Sequence, residues 1–188
     1  MQSGHYGAVG TGVMFAEATI ASAWNVHGKA EHMPFAYQVQ AQFGIALPAA
    51  NATARSDRVT ALWLGPTSWL LVGGQSPLSD FEARRDALNA TGGALFDVSD
   101  ARIAWTISGS HAATVLAKGC PLDFHLRTFQ TGTCAQSLLG HVNGLFVRHA
   151  DDRFTLLVAR SFARDVWRAL CESAAQYGYE VAPPAAYV

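Results

Sequence analysis

The chain has 188 residues, half of them apolar, so it is long enough to bury a sizeable core in one domain or in two small packed units. Its 13 lysines and arginines face 14 aspartates and glutamates, for a formal charge of -1, and without excess positive charge to neutralise phosphates, nucleic acid is excluded as the expected partner. Charged residues make up 14% of the sequence, against ~25% in ordinary soluble domains, which suits a subunit that buries surface against a partner or, alternatively, a well-packed monomer.

The first half of the chain is predicted to alternate short strands with two helices. Residues 1–12, rich in Gly and Ser, are expected to be flexible or ordered only by a partner. One helix is predicted over residues 34–43. Another, which ends near residue 91, is predicted to begin either at Ser76-Pro77 or at the capping box of Ser79 and Glu82. Strand-forming residues between turn signals predict strands over residues 14–20, 23–27, 59–64, 68–72 and 94–98.

The second half repeats this order of elements. Alternating apolar side chains predict a strand over residues 102–107. Helices are predicted over residues 110–118 and 161–177, with the serine that opens each segment as its N-cap. The Asn-Gly pair at residues 143–144 predicts a hairpin turn. The remaining strands are predicted over residues 133–140, 145–149, 153–158 and 179–181.

The order strand, helix, strand, strand, helix, strand is that of a ferredoxin-like unit. Because this order occurs twice, the sequence predicts an α+β fold of two tandem ferredoxin-like units of the βαββαβ type. The first unit is expected over residues 13–100 and the second over residues 101–182, followed by a tail over residues 183–188. Together the two units are expected to form one compact domain.

Histidine and cysteine positions match neither a metal site nor a disulfide framework. His27 and His32 are the closest pair of the seven histidines, but no third ligand follows at a fixed offset, so no metal is expected. Cys120, Cys134 and Cys171 are widely spaced and are expected to be free thiols. Cys120 follows a predicted helix C-terminus, where the negative end of the helix dipole disfavours a thiolate nucleophile.

No sequence pattern of a catalytic or nucleotide-binding site is present. Asp97, Asp100 and Asp123 lie at predicted strand or helix ends, where aspartate commonly bonds nearby backbone amides. The glycines of residues 7–12 follow no strand and lack the dinucleotide-loop spacing. Aromatic residues on the predicted strands raise the alternative of an RNA-stacking sheet, but the neutral charge favours core packing instead.

The N-terminus has no basic residue before its apolar part, which is unlike a secretory signal. No apolar run reaches the ~18 residues that a membrane-spanning helix needs. We therefore expect no membrane association and a cytoplasmic location, which agrees with reduced cysteines.

Four segments carry the most distinctive stretches of the sequence. They read ALWLGPTSWLLV at 61–72, FDVSDARIAWTISGSHAATVLAKGCPLD at 96–123, FQTGTCAQSLLGHV at 129–142 and FTLLVARSFARDVWRAL at 154–170. In this order they resemble the gamma subunit of heterotetrameric sarcosine oxidase. That family is in turn similar to the folate-binding domain of glycine-cleavage aminomethyltransferases, and this similarity implies the α+β fold predicted above.

The resemblance implies a subunit of an enzyme complex that oxidises sarcosine with O2 and tetrahydrofolate, yielding glycine, methylene-tetrahydrofolate and H2O2. It implies FAD, FMN, NAD, tetrahydrofolate and zinc on the alpha, beta and delta subunits, which would be the partners of this chain. It implies no catalytic, cofactor-binding or metal-binding residue here. The implied role is packing, which holds the flavin-bearing and folate-bearing subunits in register.

Two departures from the folate-dependent relatives favour this non-catalytic role. Those relatives have FDVSH where this chain has FDVSD, so that Asp100 stands at the position of their histidine. They also carry a carboxylate pair where Val142 and Asn143 stand here. The fold is then retained while the site is lost, and a stand-alone folate-binding protein of the aminomethyltransferase type is the alternative.

The most specific part of the resemblance is also predicted to contact a partner subunit. The predicted contact residues are Gly119, Cys120, Pro121, Leu122 and Asp123. Within this segment, a charged side chain in place of Leu122 is expected to weaken assembly more than it unfolds the isolated chain.

Overall fold

The computed structural model of the protein describes residues 2–73 and 80–187. The helices of these residues are α1 Met33–Phe43, α2 Phe81–Asn89, α3 Ala112–Ala117 and α4 Ala163–Ala174. The strands are β1 Gly4–Tyr6, β2 Val13–Thr19, β3 Ser22–His27, β4 Thr53–Arg55, β5 Val59–Gly65, β6 Ser68–Gly73, β7 Ala94–Asp97, β8 Arg102–Ser108, β9 Cys134–Leu139, β10 Val142–Ala150, β11 Arg153–Ala159, β12 Tyr179–Val181 and β13 Ala185–Ala186.

The chain folds into two units, each with its own sheet. Unit 1 contains the chain up to Thr19 together with Ala101–Ala185. Unit 2 contains Ile20–Asp100 and the C-terminal residues from Ala186. Unit 1 is therefore discontinuous in sequence, because most of unit 2 lies between β2 and β8.

Unit 1 is built on a sheet with the strand order β1-β12-β2-β8-β11-β10-β9, and β13 pairs with β2. Along this order only β12 and β2 run parallel. Val115 and Leu116 of α3 and Val166 and Leu170 of α4 share one buried cluster with Trp105 of β8. Each fully buried side chain of this kind contributes ~1.5–3 kcal/mol, so this cluster holds both helices on the sheet.

Unit 2 has an antiparallel sheet with the order β4-β5-β6-β3-β7. Its core receives Phe35 and Phe43 from α1 and Leu88 from α2. Trp69 of β6 lies 6.5 Å from the Phe35 ring and donates from Nε1 to the carbonyl oxygen of Pro48 at 3.0 Å. The indole N–H is thus satisfied, as a buried tryptophan requires.

The predicted α+β class is confirmed, whereas the assignment of strands to units differs from the prediction. β2 falls inside the stretch 13–100 that was predicted as one unit, yet it pairs with β8 of unit 1, with Phe15 opposite Ile107. β13, in the predicted tail 183–188, pairs with β2 as well. Apolar alternation identifies a strand but not the strand beside it, so this pairing was not predictable from local pattern.

The N-terminal residues, predicted to be flexible over 1–12, are held in unit 1. β1 pairs with β12, with Gly4 opposite Val181. The amide of Ala8 also donates to the carbonyl oxygen of Ala175 at 2.9 Å. The composition rich in Gly and Ser suggested flexibility, but the backbone hydrogen bonds that hold this segment need no apolar side chains.

The serine caps predicted for the helices are wrong where the structure describes them. Ser110 and Ser161 precede α3 and α4, and neither helix has a side-chain cap. Instead, a backbone bond from the amide of Ala112 to the carbonyl oxygen of Gly109 (3.0 Å) opens α3. Ser79 of the predicted capping box lies outside the described residues.

The hairpin turn between β9 and β10 lies earlier than predicted. Asn143, predicted in the turn, is paired with Leu138, and Val142 is paired with Leu139. The turn is formed by Gly140 and His141, and Gly140 adopts the left-handed φ of 61°. An Asn-Gly pair favours a turn, but here Gly140 already supplies the positive φ.

Candidate docking loop

The predicted contact residues belong to a long irregular segment of unit 1 between α3 and β9. We call residues 118–133 the docking loop; they contain no helix or strand. Loops longer than ~12 residues without secondary structure are uncommon in compact domains and usually have a function. The residues of the loop nevertheless differ widely in what they contact.

The first part of the docking loop is turned toward the protein. Lys118 donates from Nζ to the carbonyl oxygen of Ser173 at the end of α4. Gly119 accepts at its carbonyl oxygen from the amide of Gly140 at 2.7 Å, and Cys120 is buried in the core of unit 1. Gly119 therefore connects the loop to the turn between β9 and β10, and the side chain of Cys120 faces the core.

Leu122 and Asp123 show how the middle of the loop is fixed. Leu122 is half-buried and packs against the core of unit 1. Asp123 is exposed, and its carboxylate accepts from the amide of His125 at 2.9 Å and from Oγ1 of Thr128 at 2.8 Å. The bond from the His125 amide, followed by the bond from Thr128, lowers the pKa of Asp123. Asp123 thus acts as the cap of a turn, as its sequence position suggested.

Arg148 of β10 is the residue that holds the loop in place. Its side chain is buried, and it donates to the carbonyl oxygens of Phe124 and Phe129 at 2.8 Å each. It also donates to the carbonyl oxygen of Ala150 at 3.1 Å and to that of Asp151. A buried charge is tolerated only when it is well hydrogen-bonded. One guanidinium therefore anchors two points of the loop to the β10–β11 hairpin.

Sequence reasoning missed Arg148. The available signal was a charged residue inside the apolar strand LFVRHA, because arginine is almost never fully buried without partners. The backbone of the same residue is used as well. The carbonyl oxygen of Arg148 accepts from the amide of Gly132 at 2.9 Å, and the amide of Arg148 donates to the carbonyl oxygen of Thr133 at 3.0 Å.

The outer part of the docking loop forms an open concave surface, and the cavity that it lines has a volume of about 740 Å³. Leu126 is 41% exposed there. His125 accepts at Nδ1 from the amide of Arg127 at 3.2 Å, which orders this turn. The residues that line the surface are His125, Leu126, Arg127, Gln130, Thr131 and Asp151. An exposed apolar side chain among polar groups suits contact with another protein surface.

The other candidate reactive groups have structural contacts. Asp97 accepts from Oγ and from the amide of Ser99, at 2.6 and 2.9 Å. Oγ of Ser99 in turn accepts from the amide of Ala23 at 3.0 Å, so this pair braces β3 and β7. Asp100 lies in the 3-10 turn that follows. Asn143 is exposed on β10.

The thiols are not placed as nucleophiles. Cys120, Cys134 and Cys171 are free, as predicted, and the first two are buried. Burial raises the pKa of the Cys171 thiol, and burial together with its contact to Cys171 raises the pKa of Tyr179 to about 12. Both groups therefore stay protonated at neutral pH.

Residues 2–73 and 80–187 contain no metal-binding group of side chains and no membrane-spanning helix. In these residues, no three His, Cys, Asp or Glu side chains come together as a metal-binding group. None of their helices is both long and apolar enough to span a bilayer. Within the glycine-rich residues 7–12, the amide of Gly12 donates to the carbonyl oxygen of Tyr177 at 3.2 Å, so this amide is not free to bind a phosphate.

Replacement of Asp123 by asparagine is expected to destabilise the protein at pH 7 and to have no effect in strong acid. Because the folded state lowers the pKa of Asp123 below 3.8, its contribution is present above pH 3.8 and is lost as the pH falls through the folded-state value. Thermal unfolding of wild type and Asp123→Asn between pH 7 and pH 3 measures this. A difference in melting temperature that is equal at both ends of the range would contradict the assignment.

Comparison with known proteins identifies the relatives of the chain. The family model for "Sarcosine oxidase, gamma subunit family" matches residues 27–176. The sarcosine oxidase subunit gamma of Corynebacterium sp. (strain U-96) is 29% identical over 136 residues, which are 71% of this chain and 66% of that protein. The subunit gamma of Arthrobacter sp. is 29% identical over 136 residues, 70% of this chain and 64% of that protein. The chain thus spans just under two thirds of the length of these curated relatives.

Two solved structures share the fold. A chain of the heterotetrameric sarcosine oxidase from Corynebacterium sp. U-96, in complex with pyrrole 2-carboxylate, superposes with a TM-score of 0.79 over 92% of this chain and 88% of that chain, at 24% identity. The glycine cleavage system aminomethyltransferase T from Bartonella henselae superposes with a TM-score of 0.58 over 93% of this chain and 48% of that chain, at 14% identity. At these identities the likeness concerns the fold alone.

Proposed function

We propose that this chain, which belongs to the sarcosine oxidase gamma subunit family, is a non-catalytic assembly subunit of a heterotetrameric sarcosine oxidase. The complex would convert sarcosine, O2 and tetrahydrofolate to glycine, methylene-tetrahydrofolate and H2O2. The observation that carries the proposal is the family match over residues 27–176. The low share of charged residues, 14%, supports a chain that buries surface in an assembly.

The contacts of the candidate groups support a non-catalytic role. Catalysis by a carboxylate or a thiol needs a side chain that is free to reach a substrate. Asp97 and Asp123 instead bond to nearby backbone amides and hydroxyls, and Cys120 and Cys134 are buried. In the proposed complex, FAD, FMN, NAD, tetrahydrofolate and zinc are held by the alpha, beta and delta subunits. A cytoplasmic location is part of the same proposal.

The docking loop is the proposed contact with a partner subunit. Of the five residues predicted from sequence, Pro121 and Asp123 are exposed, whereas Cys120 is buried. The exposed apolar side chain beside them is Leu126, which sequence reasoning did not select. Because Arg148 fixes the loop, the contact surface is ordered before binding, and this reduces the entropy lost on assembly.

Co-expression with the alpha, beta and delta chains tests the proposal. The four chains should co-purify as one stable complex through an affinity tag on alpha. The complex should oxidise sarcosine, and this chain alone should not. A chain that never co-purifies, although the other three are made, would reject the proposal.

Glutamate in place of Leu126 is expected to lower recovery of the complex about tenfold, while the isolated chain keeps its melting temperature. The reason is that Leu126 is 41% exposed, so that a charge there meets the partner and not the core; loss of one well-placed apolar contact costs ~1–2 kcal/mol. Leu122→Glu is the comparison. The sequence predicted that a charge at Leu122 would weaken assembly more than folding, but half-buried Leu122 packs on the core, so we now expect its replacement to lower the melting temperature as well. Equal recovery of wild type and Leu126→Glu would argue against the docking loop.

A stand-alone folate-binding protein is the second candidate, favoured by the fold shared with aminomethyltransferase T. Asp100, Val142 and Asn143 stand where the resemblance places a histidine and two carboxylates in folate-dependent relatives, which weakens this candidate. Calorimetric titration of the isolated chain with tetrahydrofolate separates the two. Heat of binding at micromolar ligand would favour the folate-binding protein.

A further inference from the structure

Helix α1 of unit 2 presents an uncharged face to solvent. Met33 and Tyr37 are 74% and 73% exposed. They are four residues apart and therefore neighbours on the helix surface. Gln40 and Ala41 continue this face toward the C-terminus of the helix and are exposed too. None of the 11 residues of α1, MPFAYQVQAQF, carries a charge.

The two other helices of eight or more residues among the described residues, α2 and α4, are different. α2 carries the ion pair of Arg85 with Glu82, and α4 carries Arg168 within 3.7 Å of Asp165 and 4.0 Å of Glu172. These helices follow the usual rule that a helix exposes charged residues to water. The uncharged face of α1 is thus a local departure and not a property of the whole chain.

The same helix is firmly held from its other side. Phe35, Val39 and Phe43 are buried at 0%, 0% and 2% exposure. Gln42 and Arg84 of α2 bond to each other's backbone, with Nε2 of Gln42 3.2 Å from the Arg84 oxygen and Nη1 of Arg84 2.8 Å from the Gln42 oxygen. The exposed side chains are therefore carried on a fixed frame, which limits the entropy cost of binding.

We infer that the exposed face of α1 docks into an uncharged, apolar groove of a partner subunit. Methionine and tyrosine are enriched in the cores of protein interfaces, from which charged residues are depleted. A helix that places such residues four apart is the usual ligand of an apolar groove. The groove must be uncharged as well, because α1 has no group to pair with a buried charge. This inference rests on the proposed function.

The size of the face favours a partner subunit over a second copy of this chain that meets it helix on helix. α1 has 11 residues and is about 16 Å long. Two copies that meet helix on helix would bury far less than the ~800 Å² per partner of a standard stable interface. The face of α1 is therefore one part of a larger contact, which a bigger partner that also meets other surfaces of this chain provides.

Competition during assembly tests the inference. Wild type and Tyr37→Glu, with tags of different size, are co-expressed with the alpha, beta and delta chains, and their ratio in the purified complex is measured. We expect wild type to exceed the variant at least tenfold, as for a central interface residue. Tyr37→Phe should compete equally with wild type. Because Tyr37 is 73% exposed, the melting temperature of the isolated Tyr37→Glu chain should not change.

Phe162→Glu is the control for a charge on an exposed aromatic side chain, because Phe162 is 47% exposed and lies outside both α1 and the docking loop. It should compete equally with wild type. A ratio near one for Tyr37→Glu, or equal loss of Tyr37→Glu and Phe162→Glu, overturns the inference while the proposed function stands. A wild-type chain that never enters the complex overturns both. If the isolated chain forms a dimer that Tyr37→Glu disrupts, the face binds a second copy, and the inference is wrong.

Discussion

We expect the free energy of unfolding of the Arg148→Met variant to be about 3 kcal/mol lower than that of wild type. This lowers the melting temperature by about 6–12 °C. Methionine keeps most of the apolar volume but removes every donor. The carbonyl oxygens of Phe124 and Phe129, each 2.8 Å from Nη1 of Arg148, would then be buried without a partner. Each such group costs about 1–3 kcal/mol. Urea denaturation measures the change.

Two further variants separate hydrogen bonding from charge and packing. Arg148→Lys keeps the positive charge and should recover part of the loss, because an ammonium has three donors but not the spread of the guanidinium. Arg127→Ala, on the exposed part of the docking loop, should change the stability by less than about 0.5 kcal/mol.

Trypsin offers an independent measurement on the docking loop. Cleavage after Arg127 should become much faster in Arg148→Met, because the loop has lost its anchor. Stability and cleavage rates equal to those of wild type would show that Arg148 does not hold the docking loop.

Alanine in place of Gly178 is expected to destabilise unit 1 by about 2–4 kcal/mol. Gly178 has a φ of 67°, which non-glycine residues rarely adopt. A Cβ atom there would lie 2.0 Å from the carbonyl oxygen of Gly10 and 2.4 Å from that of Ala8. Both are backbone atoms of the segment that follows β1. The segment must therefore move away, and the β1–β12 pairing weakens with it.

Gly44 provides a control for the close contact, because it also has a φ of 67° but a Cβ atom there meets nothing within 4 Å. Its ψ is 26°, in the left-handed helical region, whereas the ψ of Gly178 is 139°, so alanine at Gly178 also carries more backbone strain. Gly44→Ala should cost only about 1 kcal/mol. Hydrogen exchange at the amides of β1 should rise in Gly178→Ala and stay unchanged in Gly44→Ala. Equal losses of stability in the two variants would mean that the close approach of the N-terminal segment contributes nothing.

Removal of residues 2–10 gives a second check on the same contact. In the shortened chain the oxygens of Ala8 and Gly10 are gone, so Gly178→Ala should cost less than in the full chain, and the remaining cost is the backbone strain at Gly178. The difference between the two backgrounds is the coupling energy between Gly178 and the N-terminal segment. A cost that is the same in both backgrounds would assign the whole effect to local backbone strain.

The docking loop illustrates how far a motif can be interpreted without coordinates. Its sequence marked the segment as distinctive and placed Asp123 at a turn, where its carboxylate does bond to the His125 amide. It also suggested Cys120 as a contact residue, although Cys120 is buried. Whether a side chain in an irregular segment points inward depends on distant elements that cover it. No periodicity reports this in a loop, since periodicity belongs to helices and strands.

The sequence by itself determined the α+β class, the positions of most helices and strands, and the family. These are local properties, because the apolar pattern of a helix or strand and the residues of a motif involve near neighbours along the chain. It did not determine that β2 pairs with β8 while β3, only three residues further on, joins the other sheet.

Only the tertiary structure decided that pairing, the attachment of β1 to β12, and the anchoring of the docking loop by Arg148. Each of these depends on hydrogen bonds between residues far apart in sequence, such as the 24 positions between Phe124 and Arg148. Backbone amides and carbonyls are the same at every position, so the sequence of side chains carries little information on which of them will meet. Burial then selects the pairing, because a polar group removed from water must find a partner.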